Sequence, residues 1–358
     1  MSRNAPKASS PTFAPARATL HEVAQLAGVD VSTASRVLRG DLNQRVSEET
    51  RQRILDAAKQ LAYQANFTAR SLRAAKTFTL GIAIPQLDNP VFAQMIVGVE
   101  RGARERGYSL LIAHIEGGGM DDTAYERLAT ANRVDGLLIT TLDDNSVVLR
   151  AARKSRVPVV VLNRTVEGLE NAIYFESTTA AKLAVRHLIS LGHTRIAHLS
   201  GQLNPSTGIG RFAGYREALE EANIPYDPDL VAVSGYTIKG GADAMRQVLR
   251  QAKEPPTAVF PITLSAAAGA VMALQQYGIR VPHDLSVVTV HDGPLAEAMY
   301  PPLTTVRMPI DQMGYEGAVG LIDLIEGRRD SVRTALAPLE LVERGSTASP
   351  APKPTPTL

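Results

Sequence analysis

The 358-residue chain contains no cysteine. That excludes disulfides and thiolate metal sites, and fits a reducing compartment such as the cytoplasm. Long hydrophobic runs are missing too. No apolar stretch approaches the roughly 20 residues that span a bilayer, and Pro and Ala are scattered through the N-terminus without an apolar signal region. A cytoplasmic protein with no membrane partner is therefore expected. The motifs G-x-x-x-x-G-K-[ST], G-x-S-x-G and H-E-x-x-H are absent, and the seven histidines are dispersed. Nothing predicts catalysis, a bound metal or a cofactor.

Net charge is also small, only +2, but it is unevenly placed. Residues 1–76 hold 12 Lys and Arg against 6 Asp and Glu, a net of +6, and the remainder is mildly acidic at −4. A basic head on an acidic body suits phosphate contact at one end only. The ends of the chain, 1–18 and 348–358, are rich in Pro, Ala, Ser and Thr and are expected to be disordered.

The strongest local pattern opens at Thr19. Leu20, Val23, Ala24 and Ala27 keep helical spacing, Gly28 permits a sharp turn, and Asp30 can cap a second helix. In that second helix Ala34, Val37 and Leu38 share an apolar face. Ser32, Ser35, Arg36 and Arg39 share the opposite one. A small polar face with arginines suits the major groove of DNA. Arg36 can pair with guanine O6 and N7, Val31 can pack on a thymine methyl, and Ser32 can bond a base edge or a phosphate. An ordinary amphipathic helical pair with a solvated basic face is the plainer alternative. Ser47 caps a third helix whose predicted buried face is Ile54, Leu55, Ala58, Leu61 and Ala62. From Asn66 to Arg73 there is room for about two helical turns, too few to be stable alone. Such a segment folds when docked.

These residues resemble the lactose-repressor (LacI/GalR) family of bacterial transcription regulators. The resemblance rests on Val23 to Leu38, Val46 to Arg51 and Ala69 to Leu72. It continues through Leu80 to Pro85, Asn89 to Phe92, Arg133 to Gly136, Leu191 to His193, Pro282 to Ser286, Leu303 to Val306 and Leu341 to Thr347. It implies a homodimer on a roughly palindromic double-stranded operator, with DNA contacts at Thr19, Val31, Ser32, Thr33, Ser35 and Arg36. It also implies paired hinge helices in the minor groove, carried by Asn66, Ala69, Arg70 and Leu72, with Leu72 as the wedge that bends the duplex. A packing role for Leu72 is the alternative. Ala65 stands where the family usually has Pro, which leaves the entry to the hinge helix less fixed.

Beyond Lys76, short apolar strands alternate with amphipathic helices. Strands are predicted at 80–84, 109–115, 136–141 and 157–162, then at 195–200, 230–234, 257–262 and 285–290. Helices are predicted near 91–106, 121–133, 145–155, 178–191, 211–222, 240–252, 265–277 and 311–326. The alternation predicts parallel sheets, and about 270 residues of it predict two lobes. The fold class is therefore α/β: a helix-turn-helix DNA-binding domain at 19–64, a hinge at 65–77, and a two-lobed, periplasmic-binding-protein-like effector and dimerisation domain at 78–347. The resemblance implies three crossings between lobes. The first lobe is expected at about 78–163 and 304–330, the second at 164–303 and 331–347.

Ligands of such sheets bind beyond the carboxyl ends of the strands. Asn89 and Phe92 follow the first strand, Thr207 and Arg211 open a helix after Ser200, Tyr236 follows Ser234, and His291 and Asp292 follow Val290. Aromatic faces plus fixed hydrogen bonders suit a small polar molecule such as a sugar or sugar derivative. The resemblance places Phe92, Thr207, Arg211, Tyr236 and Asp292 in the effector pocket. Each has a plainer alternative: Phe92 in the core, Arg211 paired to an acid of its own lobe, Tyr236 on the surface. His291 stands where the family often has Asp, and Thr263-Leu264 where many members have Asn-Asp. The whole predicts a sequence-specific transcription regulator, a repressor, whose operator affinity a small effector controls. A free-standing solute-binding protein is the rival, but it would have no use for residues 19–72.

Overall fold

The computed structural model describes residues 18–38, 46–63, 76–87, 89–115, 125, 133–140, 145–202 and 206–351. The N-terminal tail through residue 17, the hinge with Asn66, Ala69, Arg70 and Leu72, most of the helix expected near 121–133, and residues 352–358 lie outside them. The chain divides into two units, Met1–Lys76 and Thr77–Leu358.

In the first unit α1 spans Leu20–Ala27, α2 Val31–Leu38 and α3 Glu48–Gln60. Thr19 starts α1 with a reciprocal cap: its hydroxyl accepts the Glu22 N–H at 3.3 Å, and the Glu22 carboxylate accepts the Thr19 N–H at 2.6 Å. Gly28 ends the helix at φ 65, donating to the Ala24 and Gln25 carbonyls. A side chain with a Cβ is strained there, so glycine permits the turn into α2. The Asp30 carbonyl takes the Ala34 N–H at 3.0 Å, and Ser47 caps α3 by accepting the Thr50 N–H at 3.2 Å. Val23, Ala24, Ala27, Ala34, Val37, Ile54 and Ala57 form one small core. The expected α3 face needs correction at two positions. Leu55 is 43% exposed and Ala62 is exposed as well, and Ala57 takes the inward place because Ile54, Ala57, Ala58 and Leu61 follow the 3.6-residue period.

The second unit holds two six-stranded sheets. The first contains β1 (Thr79–Ile84), β2 (Ser109–His114), β3 (Gly136–Ile139), β4 (Val159–Leu162), β5 (Ala172–Phe175) and β11 (Arg333–Leu336), in the order β11-β5-β4-β3-β1-β2. The second contains β6 (Ile196–Ser200), β7 (Val231–Val233), β8 (Ala258–Pro261), β9 (Ser286–Val290), β10 (Thr304–Arg307) and β12 (Glu340–Val342), in the order β12-β10-β9-β8-β6-β7. All pairings are parallel except β10 with β12. Crossover helices cover the faces, so the central strands β3, β6, β8 and β9 are buried at every position and mostly apolar, with His198, Ser200, Ser286 and Thr289 as buried polar exceptions.

Sheet membership moves the lobe boundaries from where they were expected. β5 and β11 belong to the first sheet, whereas 304–307 lies in the second. The chain therefore passes between lobes after Phe175, after Arg307 and after Leu336. Four strands of three or four residues, β5, β10, β11 and β12, were not predicted because so few residues display no period. The helix Ile310–Ile325 packs on the helix Pro90–Glu105 and on β3 of the first lobe.

Several of the quoted motifs do structural work. The Asp135 carboxylate accepts the Thr77 and Phe78 N–H groups, both at 2.7 Å, and fastens the start of this unit. His193 is buried and bonds Thr257 Oγ1 at 2.9 Å, Ser286 Oγ at 3.1 Å and the Ala348 carbonyl at 2.8 Å. The C-terminal tail was expected to be loose from residue 348. Instead Ala348 is held at both its N–H and its carbonyl.

Candidate functional site

The outward face of α2 carries Val31, 40% exposed, with Ser32 and Arg36 also exposed, while Ala34 and Val37 point into the core. Thr33 and Ser35 are half-buried beside them. The core fixes the helix by one face and presents the other, the arrangement that a groove-reading helix requires. Thr19 is exposed, but its hydroxyl is engaged with Glu22 in the helix cap.

The second site lies between the lobes. In each sheet the strand order reverses once, between β1 and β3 in the first and between β6 and β8 in the second. A crevice opens at such a point beyond the carboxyl ends of the strands. There the two lobes enclose a cavity with about 520 Å³ of space between its walls, part of it continuous with solvent. From the first lobe come Asn89, Val91 and Phe92 after β1, Thr140 after β3, and Leu162, Asn163 and Arg164 at the end of β4. From the second come Thr207 and Arg211 after β6, Tyr236 after β7, Thr263 after β8 and His291 after β9. Two hydrogen bonds join the lobes at its edge: Thr207 Oγ1 donates to the Asn163 carbonyl at 2.9 Å, and Gln94 Nε2 to the Asp292 carbonyl at 3.2 Å.

Six of the seven residues singled out from the sequence thus meet around one cavity. Phe92 is 5% exposed and belongs to the hydrophobic core while also lining the cavity. Arg211 is fully buried, and among the described residues no acid of its lobe pairs with it. One terminal nitrogen donates to the Ile262 carbonyl at 2.6 Å, the other to His291 Nε2 at 3.0 Å. Burial pulls its guanidinium down to about 10. Burial first, and then the Arg211 charge, hold His291 well below its ordinary value, so the ring is neutral at pH 7. The Tyr236 hydroxyl is buried, which raises its phenol although Arg211 and Arg164 oppose the shift.

Asp292 does not join them. It lines a smaller neighbouring cavity of about 250 Å³, and its carboxylate is fully engaged. It accepts from Thr305 Oγ1 at 2.8 Å, from Arg307 Nη2 at 2.9 Å and from Arg344 Nη2 at 2.8 Å. Burial alone would raise this carboxyl, but those donors outweigh it and hold the group below its ordinary value. A hydroxyl-binding role for Asp292 is therefore corrected to a structural one: its acceptor capacity is taken by its own lobe.

Thr140, Leu162, Asn163, Arg164 and Thr263 also line the cavity, yet the strand-end reasoning did not select them as site residues. The same rule reaches them, because each sits at or just past the carboxyl end of β3, β4 or β8. Among the described residues, no group of His, Asp and Glu is placed to hold a metal ion, and no helix is long and apolar enough to cross a membrane.

Comparison with known proteins matches one region in each unit of the chain. Residues 19–66 match the bacterial regulatory proteins of the lacI family, and residues 185–347 match a periplasmic binding protein-like domain. The ribose operon repressor of Escherichia coli (strain K12) is 36% identical over 333 residues, covering 92% of this chain and 99% of that protein. The HTH-type transcriptional repressor PurR of Aliivibrio salmonicida (strain LFI1238) is 32% identical over 331 residues, with 92% and 98% covered. The lac repressor dimer bound to operator and the anti-inducer ONPF superposes with a TM-score of 0.78 at 28% identity, covering 93% of this chain and 100% of the other. With a three-helix head displaying α2, a two-lobed body enclosing a polar cavity, and full-length relatives that are repressors rather than enzymes, the chain belongs to the lacI family of DNA-binding transcription regulators.

Proposed function

We propose that the cavity between the lobes binds a small polar effector, a sugar or sugar derivative, and that its occupancy controls how tightly a homodimer holds its operator in the cytoplasm. The observation that carries this reading is the lining itself. Arg211, His291 and Tyr236 converge with Asn163 from the facing lobe, and each presents a buried polar atom without a hydrogen-bond partner: Arg211 Nε, His291 Nδ1, the Tyr236 hydroxyl and Asn163 Oδ1. Leaving such atoms unmatched costs about 1–3 kcal/mol each, so a ligand that matches them binds well. Phe92 and Val91 supply the apolar wall that such a ligand also needs.

Because both lobes contribute, a bound molecule favours one lobe arrangement over another, and that difference is what a regulator transmits. Coupling of about 1–3 kcal/mol between the two ligands is usual for such switches. The relatives fit an effector of this class: one is a ribose operon repressor, and a structural relative is a regulator complexed with cellobiose. The test is a titration of the full-length protein onto its own promoter DNA, with and without a panel of sugars and sugar derivatives. One of them should shift operator affinity five-fold or more, corresponding to roughly 1 kcal/mol of coupling. A ligand that binds the cavity and leaves operator affinity untouched would refute the regulatory reading.

A further inference from the structure

The cavity has an imbalance of charge and of hydrogen-bonding sense. Arg211 is fully buried, and both of its bonds go to neutral acceptors, the Ile262 carbonyl and His291 Nε2. Since His291 Nε2 accepts, the ring proton sits on Nδ1, which is buried and lacks a partner. The unmatched groups are therefore three donors, Arg211 Nε–H, His291 Nδ1–H and the Tyr236 hydroxyl, against one acceptor, Asn163 Oδ1. Arg164 lines the same cavity, and among the described residues no carboxylate does. Among the described residues, Asp292 nearby is taken by Arg307 and Arg344, and Glu176 is exposed in the neighbouring cavity.

A buried guanidinium facing only neutral groups is costly, because water has been removed and no counter-charge replaces it. A neutral sugar would match hydroxyls to the donors but leave the charge uncompensated. An anion does both: its oxygens accept all three orphan donors, and its charge cancels that of Arg211.

We propose that the effector carries an anionic group, a phosphate or a carboxylate, seated against Arg211, His291 and Tyr236, and that a neutral polyol is not the preferred ligand. This rests on the cavity being the effector site, and it narrows the class to sugar phosphates or sugar acids. His291 is the residue that sets the preference. An acid at that position would neutralise Arg211 from within the protein and reserve the site for neutral molecules.

Two substitutions that differ only in charge test it. His291→Asp and His291→Asn have nearly the same shape, and both are compared with the parent protein by thermal melting and calorimetric titration. Probes are inorganic phosphate, ribose with ribose 5-phosphate, and glucose with glucose 6-phosphate and gluconate. Without any probe, His291→Asp should melt higher than His291→Asn, because it supplies the missing counter-charge. An anionic probe should bind the parent and His291→Asn roughly tenfold or more tighter than its neutral partner, and His291→Asp should abolish that advantage. Phosphate esters and gluconate then separate phosphate from carboxylate recognition.

The proposal is overturned if a neutral sugar binds as tightly as its charged partner, or if His291→Asp is no more stable than His291→Asn. Binding is measured here without DNA. A neutral sugar that shifts operator affinity would thus refute the anionic preference while leaving the regulatory reading intact.

Discussion

Arg36 projects from the exposed face of α2, where the buried Ala34 and Val37 hold the helix by its other side. A guanidinium there can span two acceptors of one guanine. Arg36→Ala should cost about 1–3 kcal/mol of operator affinity and relax preference at one base pair. Equal weakening on every sequence, measured by competition between operator variants, would reduce Arg36 to a phosphate contact. His198 shows the opposite use of a titratable group. It is fully buried and stacked on Phe260 at 4.9 Å and Tyr215 at 5.0 Å, and its Nδ1 donates to the Phe260 carbonyl at 2.7 Å. Burial holds its imidazole down at about 4. The folded protein therefore keeps this ring neutral while the unfolded chain takes up a proton below about 6.5. Its contribution is complete above about pH 6.5 and is lost as pH falls through about 4, roughly 3 kcal/mol in all. Thermal midpoints taken from pH 7.5 to 4.5 should fall less steeply in His198→Phe than in the parent. Parallel slopes would assign the acid sensitivity to other groups. The sequence shows where the seven histidines stand, but only packing separates the neutral core ring at His198 from the cavity ring at His291.

At the scale of elements, the helices Pro90–Glu105 and Ile310–Ile325 pack through glycines. A Cβ at Gly98 would collide with the Asp311 carbonyl oxygen, and one at Gly314 with the Met95 carbonyl oxygen. Gly98→Ala must push the two backbones apart, so a loss of about 1–3 kcal/mol is expected in urea denaturation. An unchanged midpoint would mean that the helices shift freely. The hinge offers a second test of an element. The family pattern implies a wedge role for Leu72, which lies outside the described residues, and on that expectation Leu72→Ala should reduce operator bending as measured by mobility of circularly permuted fragments. An identical bend angle would remove that role. Most helices were legible because eight or more residues display a period and because Thr19, Gly28 and Ser47 mark their ends. The four missed strands were not, because in each the pairing partner rather than the local pattern makes the strand. β5, for example, is defined by its ladders to β4 and to β11, some 160 residues away.

At the scale of the whole body, the lobes are tied by three chain passages and by hydrogen bonds across the cavity. Thr207 donates across it to the Asn163 carbonyl. Removing that hydroxyl in Thr207→Val costs one such bond, about 0.5–1.5 kcal/mol of lobe closure, with little change in the hydrophobic core. The change in operator affinity on adding effector should shrink in this variant, while its thermal midpoint without ligand stays close to that of the parent. A full response in fluorescence-anisotropy titrations would show that closure does not depend on this contact.

The sequence by itself determined the helix-turn-helix, the alternation that makes two parallel-sheet lobes, and most residues beyond the strand ends where a cavity forms. Those features follow from spacing and turn chemistry within a few residues of one another. Only the tertiary structure decided which strand belongs to which sheet, that Asp292 is consumed by Arg307 and Arg344, and that Arg211 meets the neutral His291 instead of an acid. Whether a polar atom finds a partner depends on groups that folding brings from distant parts of the chain. Arg211 and His291 lie 80 residues apart in sequence, and their 3.0 Å contact arises only when folding brings the helix after β6 beside the turn after β9.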